Sequence, residues 1–437
     1  MKKRLLILAI GLLHPVLPSV AAEPVTSLPE PLTLEAALDA IDPSHPLIAA
    51  SQARRQLANS AEKRVRAADD ATLDLALEAR RVEPIDTAPN QDRDDSRARL
   101  TLYKTLYDFG RTANRTAAAN HAVASSESGV ALAMMEIRRQ VMQRYFDVIL
   151  ADLDAATANE AMSVAFVGYD HARDRHELGE ISDVELLQQE NAYQSRLIER
   201  QQAEARQRAT RSQLALILNR PESLASSLEN PALPGIRKPL PDYDALVEEV
   251  RQGNAQLRAL QADLAAIQSQ QDAVRAERRP TLYLQLEAAE YQREFGSRDP
   301  LTAILGLNVP LYQGGRIDAD LSEQDALAWQ LKSDYRAAEY RLRQELLELY
   351  QTIEILLQQL KQADIRQDYR DLSLDRSRAE YDLELRTDLG DAMVQQTAAR
   401  LFSRQIAFEL ALAREKLVIL TGNPGYSALA PASEETP

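Results

Sequence analysis

The sequence predicts a mixed fold, mainly α-helical, built as a tandem repeat whose two halves each interrupt long helices with one β-hairpin. Three observations predict it. "LYDFGR" (106–111) and "LYQGGR" (311–316) are one phrase written twice: Leu-Tyr, two variable residues, Gly-Arg. The offset between them holds elsewhere, since Tyr145 maps to Tyr350, Leu178 to Leu383, Ser182 to Thr387 and Asp183 to Asp388, and the halves close on "LILNRP" (216–221) and "ILTGNP" (419–424). Each phrase follows an alternating apolar run and opens a long proline-free stretch.

The chain divides accordingly. Residues 1–22 read as a secretory signal peptide: Lys2, Lys3 and Arg4, a short apolar core Leu5–Leu13, then small residues for cleavage after Ala21 or Ala22. Residues 23–228 form the first repeat, 229–241 ("ENPALPGIRKPLP") a Pro-rich joint, 242–424 the second repeat and 425–437 a tail. No later stretch of about 20 apolar residues predicts a membrane-crossing helix. Short alternating strands leave a β-barrel open.

The first segment of each half reads as helix, about Glu35–Ala68 and Tyr243–Arg279, with Pro43 and Pro46 breaking the first near its start. The hairpins follow at 70–107 and 281–312. Leu73, Leu75 and Leu77 oppose Asp74 and Glu78; Leu282, Leu284 and Leu286 oppose Tyr283, Gln285 and Glu287. Period-two alternation is the mark of a half-buried strand. The returning strands place Leu100 and Leu102 against Arg99, Thr101 and Tyr103, and Leu305, Leu307 and Val309 against Gly306 and Asn308. Tyr103, Tyr107, Tyr283, Tyr291 and Tyr312 suit either an interfacial belt or a luminal lining.

The strand-to-helix corners fall at Gly110-Arg111 and Gly314-Gly315-Arg316, where glycine frees the backbone for a sharp change of direction. Behind them run long helices, 111–178 and 316–383, each about 100 Å at ~1.5 Å per residue. Val130, Met134, Ile137, Val141, Tyr145, Val148 and Ala151 form a seam in steps of three and four. Leu331, Tyr335, Ala338, Leu342, Leu346, Leu349, Ile353 and Leu356 form its copy. Tip turns at 179–182 and 384–387 reverse the chain into return helices, about Asp183–Leu218 and Asp388–Leu420. Gly179 suits a helix C′ position, and Ser182 with Glu185 a capping box. In each half the two shorter helical segments together match the long one in length, so they fit end to end alongside it.

Composition narrows the function. There is no cysteine, hence no disulfide or thiolate site. The formal charge of −15, which becomes −18 without the three basic residues of the leader, argues against nucleic acid as a partner. The remaining histidines are His45, His121, His171 and His176, without ligand spacing, and no phosphate loop or nucleophile elbow appears. The reading is of a non-enzyme without cofactor or metal. Four strands per chain cannot close in lipid, where an open edge is unpaired backbone. Two copies give eight strands, filled by side chains; three give twelve, which leave a lumen. A homotrimer follows if the strands lie in a membrane. A periplasmic coiled-coil scaffold without channel activity is the alternative, and only the conduit explains two hairpins at equivalent positions.

With these residues in place, the chain resembles the TolC family of outer-membrane efflux and secretion channels over essentially the whole mature sequence. "LTLEAALDAIDPSHPLIAAS" (32–51) is similar to the family's opening helix, and the two corner phrases, the tip turns and "LILNRP" fit in order. The resemblance implies a homotrimer in the outer membrane, its 12-strand barrel continuous with a long α-helical barrel across the periplasm. It also implies a passive duct. An inner-membrane transporter (RND, ABC or MFS type) would supply energy, and a periplasmic adaptor would dock on the helical tips. Gly179, Ser182, Asp183 and Thr387 are the tip positions this points to. The family's acidic ring motif, Thr-Asp followed three residues later by Asp, matches Thr387-Asp388-Leu389-Gly390-Asp391. Asp388 and Asp391 would then ring the periplasmic opening; as first-turn residues they also complement a helix dipole. Gly390 would serve a hinge or close helix packing. Drug efflux, metal export and type I protein secretion all fit such a duct.

Overall fold

The computed structural model describes residues 28–222, 226–293, 298–383 and 389–431; the expected signal peptide lies outside them. The first half runs α1 (Leu34–Asp39), α2 (Pro46–Ala67), β1 (Thr72–Glu78), β2 (Arg97–Tyr107), α3 (Arg111–Glu177) and α4 (Asp183–Ile217). The second runs α5 (Tyr243–Gly253), α6 (Ala255–Ala276), β3 (Thr281–Tyr291), β4 (Leu301–Asn308), α7 (Arg316–Asp382) and α8 (Leu389–Thr421), then one 3-10 turn, Pro424–Tyr426. Both long helices hold 67 residues, about 100 Å at 1.5 Å per residue.

The first opening segment is two helices, as its prolines predict. The second is also two, where the sequence predicts one. The reason is tertiary: Asn254 caps α6 by accepting from the N–H groups of Gln256 and Leu257, and its amide donates to the Leu420 carbonyl at 3.0 Å. Gly253 beside it has no space for a side chain, since a Cβ there would stand 1.9 Å from the Thr421 carbonyl oxygen.

α3 packs against α2 and α4 of its own half and also against α6 and α8; α7 packs against α6 and α8. α3 is therefore the element that joins the two halves. The core concentrates at mid-length, where α1, the joint and the tail add a second layer over the helices. Phe146 of α3 stacks on Phe408 of α8 at 4.2 Å, and the Tyr145 hydroxyl lies within bonding reach of the Leu32 and Glu229 carbonyls. The seam is correspondingly buried from Ile137 to Ala151 and from Ala338 to Leu356. Outside that layer it loosens: Val130, Leu331 and Tyr335 are half-buried, and Met134 is 43% exposed, against expectation.

The four strands form one antiparallel sheet in the order β1-β2-β3-β4. The register pairs Leu75 with Leu100, Leu102 with Leu286 and Leu284 with Leu305, so one face is leucine from edge to edge. On it Leu73, Leu75, Leu77, Leu305 and Leu307 are 61–72% exposed. Among the described residues no helix is long and apolar enough to cross a membrane.

Candidate functional site: the duct and its two ends

The face opposite the leucines is polar. Asp74 pairs with Thr101 and Thr101 with Glu287, while Tyr103 pairs with Gln285. Arg97 grips the Glu78 carboxylate through two nitrogens at 2.7–2.9 Å, and Arg99 lies 3.2 Å from Glu287. Tyr103 and Tyr283 stack on this same face at 5.5 Å, and Tyr291 shares their parity in the ladder. These three tyrosines therefore line the polar side rather than belting the leucine side. Two charges interrupt the leucine face: Glu290, opposite Ala98 at the loop end, and Lys104, whose ammonium bends back to the Asp69 carbonyl at the helical end of the sheet, as a lysine stem does when it carries its charge to an interface. A sheet with one exposed face mainly apolar, charged only towards its two ends, and one charged face suits lipid outside and water inside.

The corners join this sheet to the long helices. Gly110 and Gly315 are the N-cap residues of α3 and α7, with φ of 91° and 80°, and Gly314 has φ 62°. Asp108 completes the first corner, accepting from the Gly110 and Thr112 N–H groups and from the Thr112 hydroxyl. Burial pushes its carboxyl up, but those bonds and the Arg111 guanidinium outweigh it and hold the group below the usual carboxylate range. The second corner has Gln313 instead, and there Arg316 does the fastening, bonding Gln313, Asp320 and Glu277. Glu277 also holds Arg115 at 2.7 Å, so one carboxylate ties the two corners together. It stands in the charged run "AERR" with nothing in the sequence to single it out.

At the first tip Gly179 (φ 74°) ends α3 in a Schellman motif: its N–H donates to His176 and that of Glu180 to Arg175, both at 2.9 Å. Ser182 and Glu185 cap α4 reciprocally. Asp183 lies 2.6 Å from the His176 ring, closing the turn across its base. Hydrogen bonds from the Ser182 N–H and hydroxyl hold Glu185 below the usual carboxylate range.

Of the second tip, Thr387 and Asp388 lie outside the described residues, as does the turn at 384–387. Asp391 is exposed in the first turn of α8. Gly390 faces α3, where a Cβ would come 2.8 Å from a Val164 methyl, so close packing explains the glycine.

Residues 246–423 match the outer membrane efflux protein family model. No curated protein matches the chain. Among solved structures, VceC from Vibrio cholerae is similar over 89% of this chain and 96% of its own, at 17% identity and a TM-score of 0.69. A membrane protein from Pseudomonas aeruginosa gives 91% and 91%, 17% and 0.71. The CmeC outer membrane channel of Campylobacter jejuni gives 92% and 87%, 14% and 0.69. At such identities the likeness is one of fold: a four-strand share of a β-barrel continuous with a helical tunnel.

Proposed function

We infer that this chain, a TolC-type outer-membrane efflux channel in fold and in its family match, works as the passive exit duct of a tripartite efflux or type I secretion system. Three copies would close a 12-strand barrel in the outer membrane, and the long helices would carry its lumen through the periplasm. One observation supports this most: a sheet with an exposed leucine face, a charged face and two unpaired edges, fastened by paired corners to helices about 100 Å long. A periplasmic scaffold has no use for such a sheet.

The tips are the proposed contact for a periplasmic adaptor, through Gly179, Ser182, Asp183 and Thr387. An inner-membrane transporter would deliver cargo. Asp388 and Asp391 are the proposed acidic ring, two carboxylates per chain and six per trimer, attracting cations and responding to divalent ions through carboxylate oxygens. Membrane fractionation tests the placement. The duct stays with the outer membrane and leaves it only in detergent; a scaffold washes out with the soluble periplasm.

A further inference from the structure

The chain copies one face of its sheet and rewrites the other. β1 and β3 are the same strand of the repeat, "TLDLALEA" (72–79) and "TLYLQLEA" (281–288), and so are β2 and β4. On the apolar side Leu73, Leu75 and Leu77 return as Leu282, Leu284 and Leu286, and Leu100 and Leu102 as Leu305 and Leu307. On the polar side Asp74 returns as Tyr283, Thr101 as Gly306 and Tyr103 as Asn308. Lipid makes the same demand of every strand, whereas water makes almost none.

Two of the changes on the polar side fit each other. Tyr283 and Gly306 are directly paired, and a Cβ at Gly306 would collide with the Tyr283 ring, so the ring lies across the glycine and against the sheet. Tyr103, diagonal to it on β2, stacks on this ring with an interplanar angle of 27° and is itself 37% exposed. A ring laid over a cross-strand glycine is a known way to shore up a sheet, which accounts for Tyr283. It does not account for the second ring.

Charge on this face is sorted along the strands. The rows towards the loops hold Asp74, Thr101 and Glu287, then Glu78 and Arg97. The rows towards the helices hold Thr72, Tyr103, Gln285 and Ile304, then Thr105, Tyr283 and Gly306, with no charge at all. Arg97 is taken by Glu78 and Arg99 by Glu287. Asp74 is exposed and joins no ion pair among the described residues, so it is the surplus carboxylate of the wall. It stands on the row next to Tyr103, in the diagonal position that long and aromatic side chains span.

We propose that Tyr103, Tyr283 and Asp74 form a binding site on the luminal wall of the barrel for planar aromatic cations. The flat ring of the ligand lies on the exposed tyrosine face, whose π-electrons attract positive charge, and its cationic nitrogen reaches the Asp74 carboxylate. All three residues belong to one chain and one face of one sheet, so each copy holds a complete site. This rests on the duct reading and adds to it that the barrel is not an inert pipe: cargo of this class pauses at the helical end of the sheet, before the charged rows. An anion is repelled by Asp74, and a cation without a ring gains nothing from the tyrosines.

Single-channel recording with ethidium added on the loop side reads the site. The expected result is brief interruptions of the current, whose mean duration falls about tenfold in Tyr103→Ser/Tyr283→Ser. It should fall less in Asp74→Asn and be kept in Tyr103→Phe/Tyr283→Phe, which retains both rings. Spermidine, a cation without a ring, and a pyrene trisulfonate, a ring without a positive charge, should give no interruptions that the serine pair shortens. Ethidium interruptions of equal length in all these channels, or a conducting channel that ethidium never interrupts, overturn the site and leave the duct standing. So do interruptions that disappear only in Asp388→Asn/Asp391→Asn, which would put the cation at the tips. Should the serine pair fail to assemble, Asp74→Asn decides: shortened interruptions support the site and unchanged ones overturn it. No conductance from an assembled oligomer contradicts the duct and the site with it.

Discussion

The middle of the long helices and the first tip are held by different forces. At mid-length Phe146 lies on Phe408, Tyr145 reaches two carbonyls, and Arg414 is fully buried with its Nε donating to the Ile236 carbonyl at 2.9 Å. Burial brings the Arg414 guanidinium down to about 10. The first tip is held by a capping box, the His176–Asp183 contact and the exposed Arg175–Glu180 pair, and Leu178 is 76% exposed. The difference teaches where each job sits: a dry waist fixes the relative positions of α3, α4, α7 and α8, so the described tip can remain wet and lightly held.

Side-chain deletion should break that comparison most visibly. Phe408→Ala removes a stacked, buried ring and should cost about 3–5 kcal/mol. Gly253→Ala should be comparably damaging, because its Cβ meets backbone rather than a flexible side chain. Leu178→Ala at the tip should stay within about 0.5 kcal/mol. Thermal unfolding in detergent reads all three, and equal losses at waist and tip would erase the distinction. Smaller and local, Ser182→Ala removes one cap at about 1 kcal/mol and should speed amide exchange in the first turn of α4 while leaving the waist unchanged.

Acid should move the two regions in opposite senses. Glu415 is buried at the waist, and burial raises its carboxyl above the usual range, with the Ser427 hydroxyl and Arg138 opposing. The folded state thus holds this proton more tightly than the unfolded one, so stability at the waist is gained as pH falls through the raised value. Glu185 at the tip is lowered, so its contribution is present at neutral pH and is lost as pH falls below the ordinary carboxylate range. Hydrogen exchange at mildly and strongly acidic pH should show α4 fraying first. Simultaneous loss at both places would contradict this assignment.

What could be read from residues alone follows the range of the interactions. The corners and the first tip are local: glycine at positive φ, a Ser-x-x-Glu cap and a two-residue alternation need only neighbours in sequence. The break at Asn254 needed Leu420 and Thr421, brought alongside only by folding. Glu277 needed both corner arginines, and Arg414 is one arginine among many until the joint closes over it. The tyrosines were ambiguous between belt and lumen because a strand's alternation gives two faces but does not say which is wet. Register decided it, by placing Tyr103 and Tyr283 on the row of Arg99 and Glu287.

The duct itself is tested most directly by single-channel recording of the purified oligomer in planar bilayers, with Asp388→Asn/Asp391→Asn beside the unmodified protein. The account predicts small, cation-selective steps that grow and lose selectivity in the double variant. Steps unchanged by the substitutions would remove the acidic ring while keeping the channel. No conductance from a correctly assembled oligomer would contradict the duct.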